Sequence, residues 1–270
     1  NKNEGIKLNS VRNYRLKLID NLITSIINLR FDKLDEKGIK NFNSAGVYSS
    51  KLTSKTDAYS IYGSLKENKL QDGLLEIFQE LERAKQNGFI KDELLLIKQK
   101  YVDSSKQSLK SKETRTHNSH IGEIYRNFLH DEFVIGEERE YQLDLRLLDS
   151  ITVEDLNNSF KKWFKNDDRI IRFIYPEKIT KQLSKKNFLL IENQISNKKL
   201  AQYEWENLDK NLINTKLTSS KIISEKIHAS IDTVEFDLAN GIKVFFKQTK
   251  NKVNKFSFQA RSYGGTSQAK

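Results

Sequence analysis

The residues of this sequence with the clearest potential for chemistry are two histidines, His117 and His120, and the nearby Glu123. They are spaced three apart on a segment predicted to be helical, so they can share one face of that helix. Imidazole and carboxylate groups arranged in this way could in principle ligate a divalent transition metal. The surrounding helix is polar, however, and a metal there would be open to water. We therefore interpret the segment as an exposed helical turn and assign it no metal ligands.

The remaining histidines and reactive side chains do not complete a catalytic motif. His130 is predicted at a helix end, where its positive charge would favour the helix dipole, and His228 has no evident partner. The chain contains no cysteine, no P-loop and no G-x-S-x-G sequence. Gly264 and Gly265 are not followed by the helix that a phosphate site would need. The sequence therefore predicts no catalytic and no cofactor-binding residues in this chain.

Composition limits the classes of protein to consider. The chain has 270 residues, of which 37% are hydrophobic, which suits one large domain or two smaller ones. Its formal net charge of +11 is spread along the sequence, without the basic stripe or the aromatic-basic motif of nucleic-acid binders. No apolar run is long enough to span a membrane, and residues 1–10 lack the apolar region of a secretory signal. We therefore expect no membrane span and no nucleic-acid partner.

The elements that must position these residues follow helical and strand-like patterns. Between residues 42 and 66, two stretches rich in aromatic and β-branched residues flank a polar turn and predict an antiparallel hairpin. Thr152, followed three residues later by Asp155, predicts a capping box at the start of a helix. The sequence R-I-I-R-F-I-Y at 169–175 predicts a strand that ends at Pro176. The predicted helices are 11–30 with Ser10 as N-cap, 70–85, 92–112, 116–130, 136–148, one from Val153, 188–195 and 201–212.

Helices grouped around a few strands favour an α+β fold, with helices packed on one face of an antiparallel sheet. In the helix 116–130 we expect the apolar side chains to point inward; these are Ile121, Ile124, Tyr125 and Phe128. Near the carboxyl end, Val234, Phe236 and Leu238 alternate with polar residues, as in a half-buried strand.

The end of the chain predicts a β-ribbon. Asn240 and Gly241 indicate a two-residue type I′ turn into a second strand, whose apolar face carries Ile242, Val244 and Phe246. A third strand is predicted from about Phe256. Three strands without a covering helix cannot form an independent domain, so we expect this ribbon to open a larger domain.

Three segments resemble the pitrilysin/insulinase (M16) family of zinc peptidases. The terminal hairpin matches at Leu238, Asn240, Gly241, Ile242, Val244, Ser262, Gly264, Gly265 and Thr266. A pair of helices matches at Arg83, Gly88, Phe89, Glu93 and Leu94, and a helix start matches within 148–160. The resemblance implies a non-catalytic M16 α+β domain at 1–176, a helical connector between the halves of the molecule at 177–230, and the truncated start of the next domain at 231–270.

The resemblance also implies where the chemistry lies. Catalysis in this family uses H-x-x-E-H, which holds Zn²⁺ and a general base, and this motif is absent from the chain. The family's Arg–Tyr pair is not reproduced either, because Lys37 stands seven residues after Arg30. We expect Arg30 to form a structural ion pair instead, with Asp32 or a neighbouring strand.

The expected role is therefore that of a chamber-forming segment of a zinc metalloendopeptidase, inactive alone, with zinc in the full-length parent. Its partners would be the remaining domains of the same polypeptide and an enclosed peptide, and its setting the bacterial cytoplasm or periplasm. Two other hypotheses remain open. In one, an M16-like scaffold has lost catalysis throughout; in the other, the basic chain binds nucleic acid, which a steep salt dependence of binding would reveal.

Overall fold

The computed structural model describes most of the chain and divides it into two compact units. The described residues are 3–4, 6–36, 41–53, 56–164, 169–177, 182–205, 215–250, 256–262 and 264. Unit 1 comprises Asn1–Leu109 and Thr116–Glu206. Unit 2 comprises Lys110–Arg115 and Asn207–Lys270.

The described part of unit 1 combines three strands with seven helices. The strands are β1 (Asn3–Glu4), β2 (Phe42–Thr53) and β3 (Thr56–Leu65). The helices are α1 (Val11–Glu36), α2 (Leu70–Asn87), α3 (Lys91–Lys110), α4 (His117–His130), α5 (Glu137–Ser150), α6 (Val153–Trp163) and α7 (Lys185–Ser196). The strands form an antiparallel sheet in the order β1-β3-β2. The predicted α+β class is therefore confirmed.

Helix α1 forms the centre of the unit 1 core. Its start is capped as predicted, because the Asn13 N–H donates to Ser10 Oγ at 3.2 Å. Its wide apolar surface is fully buried along its middle turns and packs on β2 and α6; these residues are Leu22, Ile23, Ile26 and Ile27. Asn28 fixes the helix to the sheet, since its side chain accepts from Val47 N–H at 2.7 Å and donates to Val47 O at 3.0 Å.

The predicted capping box of α6 is present. Thr152 Oγ1 accepts from the Asp155 N–H at 3.2 Å, and the Asp155 carboxylate accepts from the Thr152 N–H at 2.8 Å. Behind this cap, Leu156 and Phe160 are buried in the core beneath α1. The capping box therefore fixes the residue at which α6 begins, and with it which residues of the helix face the core.

The prediction of a strand at 169–175 is wrong, because these residues adopt no regular secondary structure. Instead, the ring of Phe173 packs against that of Phe188 in α7, with centroids 6.0 Å apart. Arg169 forms a salt bridge with Glu192 of α7. The predicted helix at 188–195 is confirmed as α7. Residues 201–205 are not helical, and the rest of the predicted helix 201–212 lies outside the described residues.

Unit 2 contains an antiparallel sheet in the order β4-β5-β6, formed by Ile222–His228, Thr233–Leu238 and Lys243–Phe246. Strand β4 falls in the segment that we predicted as helical connector. The register places Val234 opposite Phe246 and Phe236 opposite Val244, so the predicted apolar face is confirmed. The prediction of a third strand from Phe256 is wrong for the residues described there, 256–262, which form no strand.

The turn between β5 and β6 also differs from the prediction. Only Gly241 has a positive φ, of 85°, whereas a type I′ turn requires two such residues. The Gly241 N–H donates to Leu238 O, and the Leu238 N–H donates to Ile242 O, both at 2.9 Å. The loop therefore has three residues and ends in a left-handed glycine, the second common hairpin geometry. Asn240 Oδ1 accepts from the Ile242 N–H at 3.2 Å and stiffens it.

Among the described residues, no helix has both the length and the apolar character needed to cross a membrane.

Candidate functional site

The histidines of α4 do not assemble a metal site with the rest of the described chain. His117 and His120 are exposed, and Glu123 is partly buried on the side of the helix that faces the protein. Within the described ranges, no group of three or more His, Cys, Asp or Glu side chains is placed to hold a metal ion. His130 ends α4, where its positive form would interact favourably with the helix dipole.

His228, for which the sequence offered no partner, has one in the structure. Its Nε2 lies 2.7 Å from Glu235 Oε2, and Lys243 Nζ donates to Glu235 Oε1 at 2.9 Å. The hydrogen bonds from His228 and Lys243 lower the pKa of the Glu235 carboxyl. This polar trio joins the strands of the unit 2 sheet on its surface. The sequence did not reveal it because β4 itself was not predicted.

A buried polar cluster in unit 1 surrounds Arg30. Arg30 Nε and Nη2 donate to the two carboxylate oxygens of Glu93 at 2.6 Å and 2.7 Å, and Nη1 donates to Glu80 Oε1 at 3.2 Å. Nη2 also donates to Gly88 O at 3.3 Å. The Arg30 and Glu93 side chains have no exposed surface. We call Arg30, Glu80, Glu93 and Gly88 the Arg30 cluster.

The Arg30 cluster confirms that Arg30 is a structural ion-pair partner but corrects the partners. The carboxylates come from α2 and α3, not from Asp32 or a strand. Burial opposes the charge of Arg30, yet the hydrogen bonds and charge of Glu93 outweigh it and raise the Arg30 pKa. Lys37, the other residue of that comparison, lies outside the described residues.

The structure explains why glycine occupies position 88, directly after α2, with Phe89 next to it. Gly88 has φ 77° and ψ −165°, a backbone conformation that is accessible essentially only to glycine. A Cβ at Gly88 would lie 2.6 Å from Asn157 Oδ1, and that same oxygen accepts from the Phe89 N–H at 2.9 Å. The turn between α2 and α3 is thus shaped to carry Glu93 to Arg30 and to dock on α6.

A segment that we call the strap, residues 198–205, crosses the Arg30 cluster and the end of α2. Side-chain donors of α2 hold its backbone carbonyls: Arg83 Nη1 binds Ala201 O at 2.6 Å, and Asn87 Nδ2 binds Leu200 O at 3.0 Å. The Leu200 N–H donates to Gln86 Oε1 at 3.2 Å. These contacts fix the main chain of the strap without a secondary-structure ladder.

Two aromatic rings of the strap rest on cations of α1. The Arg30 guanidinium lies 4.4 Å from the ring centroid of Tyr203, and Lys33 Nζ lies 3.8 Å from that of Trp205. Phe89 contacts Arg30 from 5.4 Å. Such contacts are strongest where the cation is removed from water, as Arg30 is. The Arg30 cluster and its neighbours therefore hold the strap to α1 and α2 at the carboxyl end of unit 1.

Two further polar networks link helices inside unit 1. The Tyr59 hydroxyl donates to Asp20 Oδ2 at 2.5 Å and Ser159 Oγ donates to Asp20 Oδ1 at 3.2 Å, while burial raises the pKa of Asp20. In the second network, Tyr14 donates to Asp144 at 2.8 Å, and burial raises the pKa of the Tyr14 hydroxyl. Both networks pair their groups internally and so favour structural roles.

The face of the unit 1 sheet opposite α1 has an unusual composition. Gly46 lies opposite Tyr62 and Tyr48 lies opposite Ser60 in the β2–β3 register. The Tyr48 and Tyr62 rings are about half exposed and 6.2 Å apart. This face, which we call the Tyr–Ser face, comprises Ser44, Gly46, Tyr48, Ser50, Ala58, Ser60, Tyr62 and Ser64. None of these residues is charged, although 31% of the chain is.

A cavity of about 480 Å³ lies between residues 169–173 and α7. Its lining includes Phe173, Leu183 and Phe188, with Arg169 and Lys185 as the polar contributors. Arg169 is already paired with Glu192. The cavity therefore offers an apolar pocket but no constellation of reactive groups.

Comparison with known proteins shows that the chain is similar to part of several zinc proteases. No family model matches the chain. A curated relative from Arabidopsis thaliana, a PQQL-like zinc protease, is 25% identical over 187 residues, which are 69% of this chain and 20% of the relative. The probable zinc protease PqqL of Haemophilus influenzae is 21% identical over 96% of this chain and 28% of its own length. The chain thus spans about a quarter of the length of these relatives.

Solved structures give the same result for the fold. The periplasmic protease PqqL of Escherichia coli superposes with a TM-score of 0.70 and 20% identity over 92% of this chain and 28% of that protein. The separately solved first half of that protease covers 76% of this chain, with a TM-score of 0.68. An insulinase-family protease from Yersinia pestis gives a TM-score of 0.62 at 15% identity over 72% of this chain. The resemblance to M16 zinc proteases seen in the sequence is therefore confirmed.

Proposed function

We propose that this M16-like chain is the non-catalytic, chamber-forming segment of a longer zinc endopeptidase that hydrolyses peptides or small proteins. The observation that carries the proposal is a pairing of two facts. The chain shares its fold with PqqL over 92% of its own length, and it corresponds to only 28% of that protease. The described residues supply no group of side chains able to hold a metal, so zinc would belong to another part of the parent polypeptide.

The two PqqL structures support the proposed order of domains. The first half of PqqL covers 76% of this chain, whereas the whole protease covers 92%. This difference is expected if residues 1–176 form the second domain of the first half and residues 231–270 begin the next domain. Residues 177–230 would then carry the connector between the halves. The strap lies inside that connector, so its attachment to the Arg30 cluster would set where the connector leaves unit 1.

The Tyr–Ser face is the part of this segment best suited to line a chamber that encloses a peptide. Helix α1 covers the other face of the sheet, so this face is the one available to a neighbour. Serine hydroxyls can bond to peptide groups of any sequence, and tyrosine rings supply rigid contact area at a low entropic cost. The absence of charge would let peptides of differing sequence bind. These properties suit a wall that holds substrates without selecting one side chain.

The likeness to the periplasmic PqqL also leads us to propose a bacterial periplasmic setting. The alternative role, an M16-like scaffold without catalysis, differs from the peptidase in the parent polypeptide and not in this chain. The presence of H-x-x-E-H roughly one domain, about 200 residues, before residue 1 would favour the peptidase.

Cleavage of an unstructured fluorogenic peptide by the purified full-length polypeptide tests the proposal. We expect hydrolysis that stops when zinc is chelated and returns when zinc is restored. We also expect its loss when the glutamate of an H-x-x-E-H outside these 270 residues is replaced by glutamine. Full-length polypeptide that folds, binds no zinc and cleaves no peptide would establish the scaffold instead.

A further inference from the structure

Helix α4 exposes its apolar side to solvent and turns a more polar side toward the protein. Four large apolar side chains at helical spacing lie on one side, and all are well exposed: Ile121 at 61%, Ile124 at 66%, Tyr125 at 60% and Phe128 at 82%. The partly buried residues of α4 are Ser119, Gly122, Glu123 and His130. An isolated surface helix normally turns its apolar stripe to the core. The sequence-based prediction that these four residues point inward is therefore wrong.

Polar contacts fix α4 in this orientation. Immediately after the helix, Asp131 forms a salt bridge with Lys7 at 3.3 Å, and Glu132 forms one with Lys51 of β2 at 2.9 Å. The Phe133 N–H donates to Leu8 O at 3.0 Å. These contacts join the end of the helix to two separate parts of unit 1. They favour the observed orientation of α4, in which the partly buried Glu123 lies on the side toward the protein.

Two apolar side chains that follow the helix are exposed as well. Phe133 is 62% exposed and Val134 is 54% exposed. An exposed apolar stripe like that of α4 is uncommon on monomeric proteins and marks an interaction site. The charged residues of α4 lie off the stripe, and Arg126 is paired with Glu132 at 3.4 Å. An uncharged apolar core is the composition of a permanent interface more than of a transient one.

We infer that the α4 stripe, comprising Ile121, Ile124, Tyr125 and Phe128, is the docking surface for another domain of the same polypeptide. The inference rests on the proposed function in one respect, which is that these residues belong to a longer chain. The relatives support that occupant, because about three quarters of the length of the Haemophilus protein lies outside the part that this chain matches. A permanent apolar interface within one polypeptide forms at any protein concentration, whereas a second copy would have to associate.

Site-specific photocrosslinking in the full-length polypeptide tests the inference. Phe128→p-benzoylphenylalanine places the probe at the centre of the stripe, and Arg126→p-benzoylphenylalanine places it on another side of α4 as the matched control. We expect irradiation at position 128 to join it to a residue of the same molecule outside these 270 residues. We expect position 126 to give at least about tenfold less of that product.

Two outcomes would overturn the inference. One is a crosslink from position 128 that joins two copies of the polypeptide. The other is no crosslink from position 128 in a polypeptide that still hydrolyses peptide, which would leave the proposed function standing. Conversely, the expected crosslink in a polypeptide without zinc-dependent hydrolysis would contradict the proposed function and keep the interface.

A substitution supplies a second, independent measurement. Phe128→Glu changes only a solvent-exposed side chain in the 270-residue chain, so we expect its melting temperature to stay within about 1 °C. In the full-length polypeptide the same change would bury a charge in an apolar contact. We expect the melting temperature there to fall by at least about 3 °C. Equal effects in the two proteins would contradict the inference.

Discussion

Arg30 and Glu93 form a bidentate ion pair in which neither side chain has any exposed surface. Glu93 also accepts from the Ile90 N–H at 3.1 Å, so the same carboxylate caps the start of α3. The pair thus joins α1 to α3, and Arg30 reaches α2 through Glu80. One buried cation therefore organises three helices and supports the strap that leaves unit 1.

The first prediction concerns the energy of this pair. Replacing Arg30 with methionine leaves the buried carboxylate of Glu93 without its cation, whereas Glu80 keeps its salt bridge to Arg83 at 3.0 Å. We expect a loss of about 3–5 kcal/mol in the free energy of unfolding. The double variant Arg30→Met with Glu93→Leu removes both charges of the pair and should lose less than the sum of the single variants. Urea denaturation followed by circular dichroism measures all three. Strictly additive losses would show that the two side chains are not coupled.

The second prediction concerns Gly88. Alanine at this position would have to adopt a strained backbone conformation, which costs about 1–3 kcal/mol. Its Cβ would also clash with the side chain of Asn157. Gly136 has the same φ of 77°, but a methyl group placed there would have nothing within 4 Å, so Gly136→Ala is the matched control for backbone strain alone. We expect Gly88→Ala to lower the melting temperature more than Gly136→Ala does. Adding Asn157→Ala should recover part of that excess.

The third prediction concerns the strap. Asn87→Ala and Tyr203→Ala each remove a contact that holds residues 198–205 to α1 and α2. We expect amide hydrogen exchange at Leu200, whose N–H donates to Gln86, to become at least about fivefold faster in each variant. Exchange in the middle of α1 should stay the same. Tyr125→Ala, which removes an exposed ring from α4, is the control. Unchanged exchange at Leu200 would mean that other contacts hold the strap.

The fourth prediction concerns pH. Partial burial of Asp155 acts to raise its pKa, but the hydrogen bonds from Arg15 and Thr152 prevail and lower it. Because the unfolded chain then binds the proton more readily, the contribution of Asp155 to stability is complete above its ordinary pKa and is lost as the pH falls below it. The ordinary pKa is about 3.9.

Comparison with Asp155→Asn measures this contribution. At pH 6 we expect the unaltered chain to be more stable than the variant by about 1 kcal/mol. Unfolding free energies measured in urea between pH 6 and pH 3 should show this difference shrinking below about pH 4. A difference that stays constant over the whole range would contradict the assigned ionic role.

Some sequence signals were sufficient to predict the local structure, and others were not. Local signals worked well: Ser10 and the Thr152–Asp155 pair set the starts of α1 and α6. The prediction of a strand at 169–175 failed because Phe173 is partly buried against Phe188 of α7 and not within a sheet. The type I′ turn failed because Asn-Gly also suits a three-residue loop with Gly241 at its end.

The candidate site was harder to predict than the elements. Arg30 was recognised as an ion-pair partner, but Glu80 and Glu93 lie 50 and 63 residues away, and no local spacing connects such distant positions. The outward stripe of α4 was missed because helical periodicity locates an apolar side without saying what covers it. If a domain outside these residues covers it, only the remainder of the polypeptide could have supplied that information.

The most direct test of the central claim is the zinc content and peptidase activity of the 270-residue chain itself. After incubation with zinc and dialysis, we expect well under one zinc per chain by plasma mass spectrometry and no cleavage of an unstructured peptide, while the full-length polypeptide retains zinc and cleaves it. One zinc bound per 270-residue chain, together with cleavage that disappears when His117 and His120 are replaced by alanine, would contradict the account.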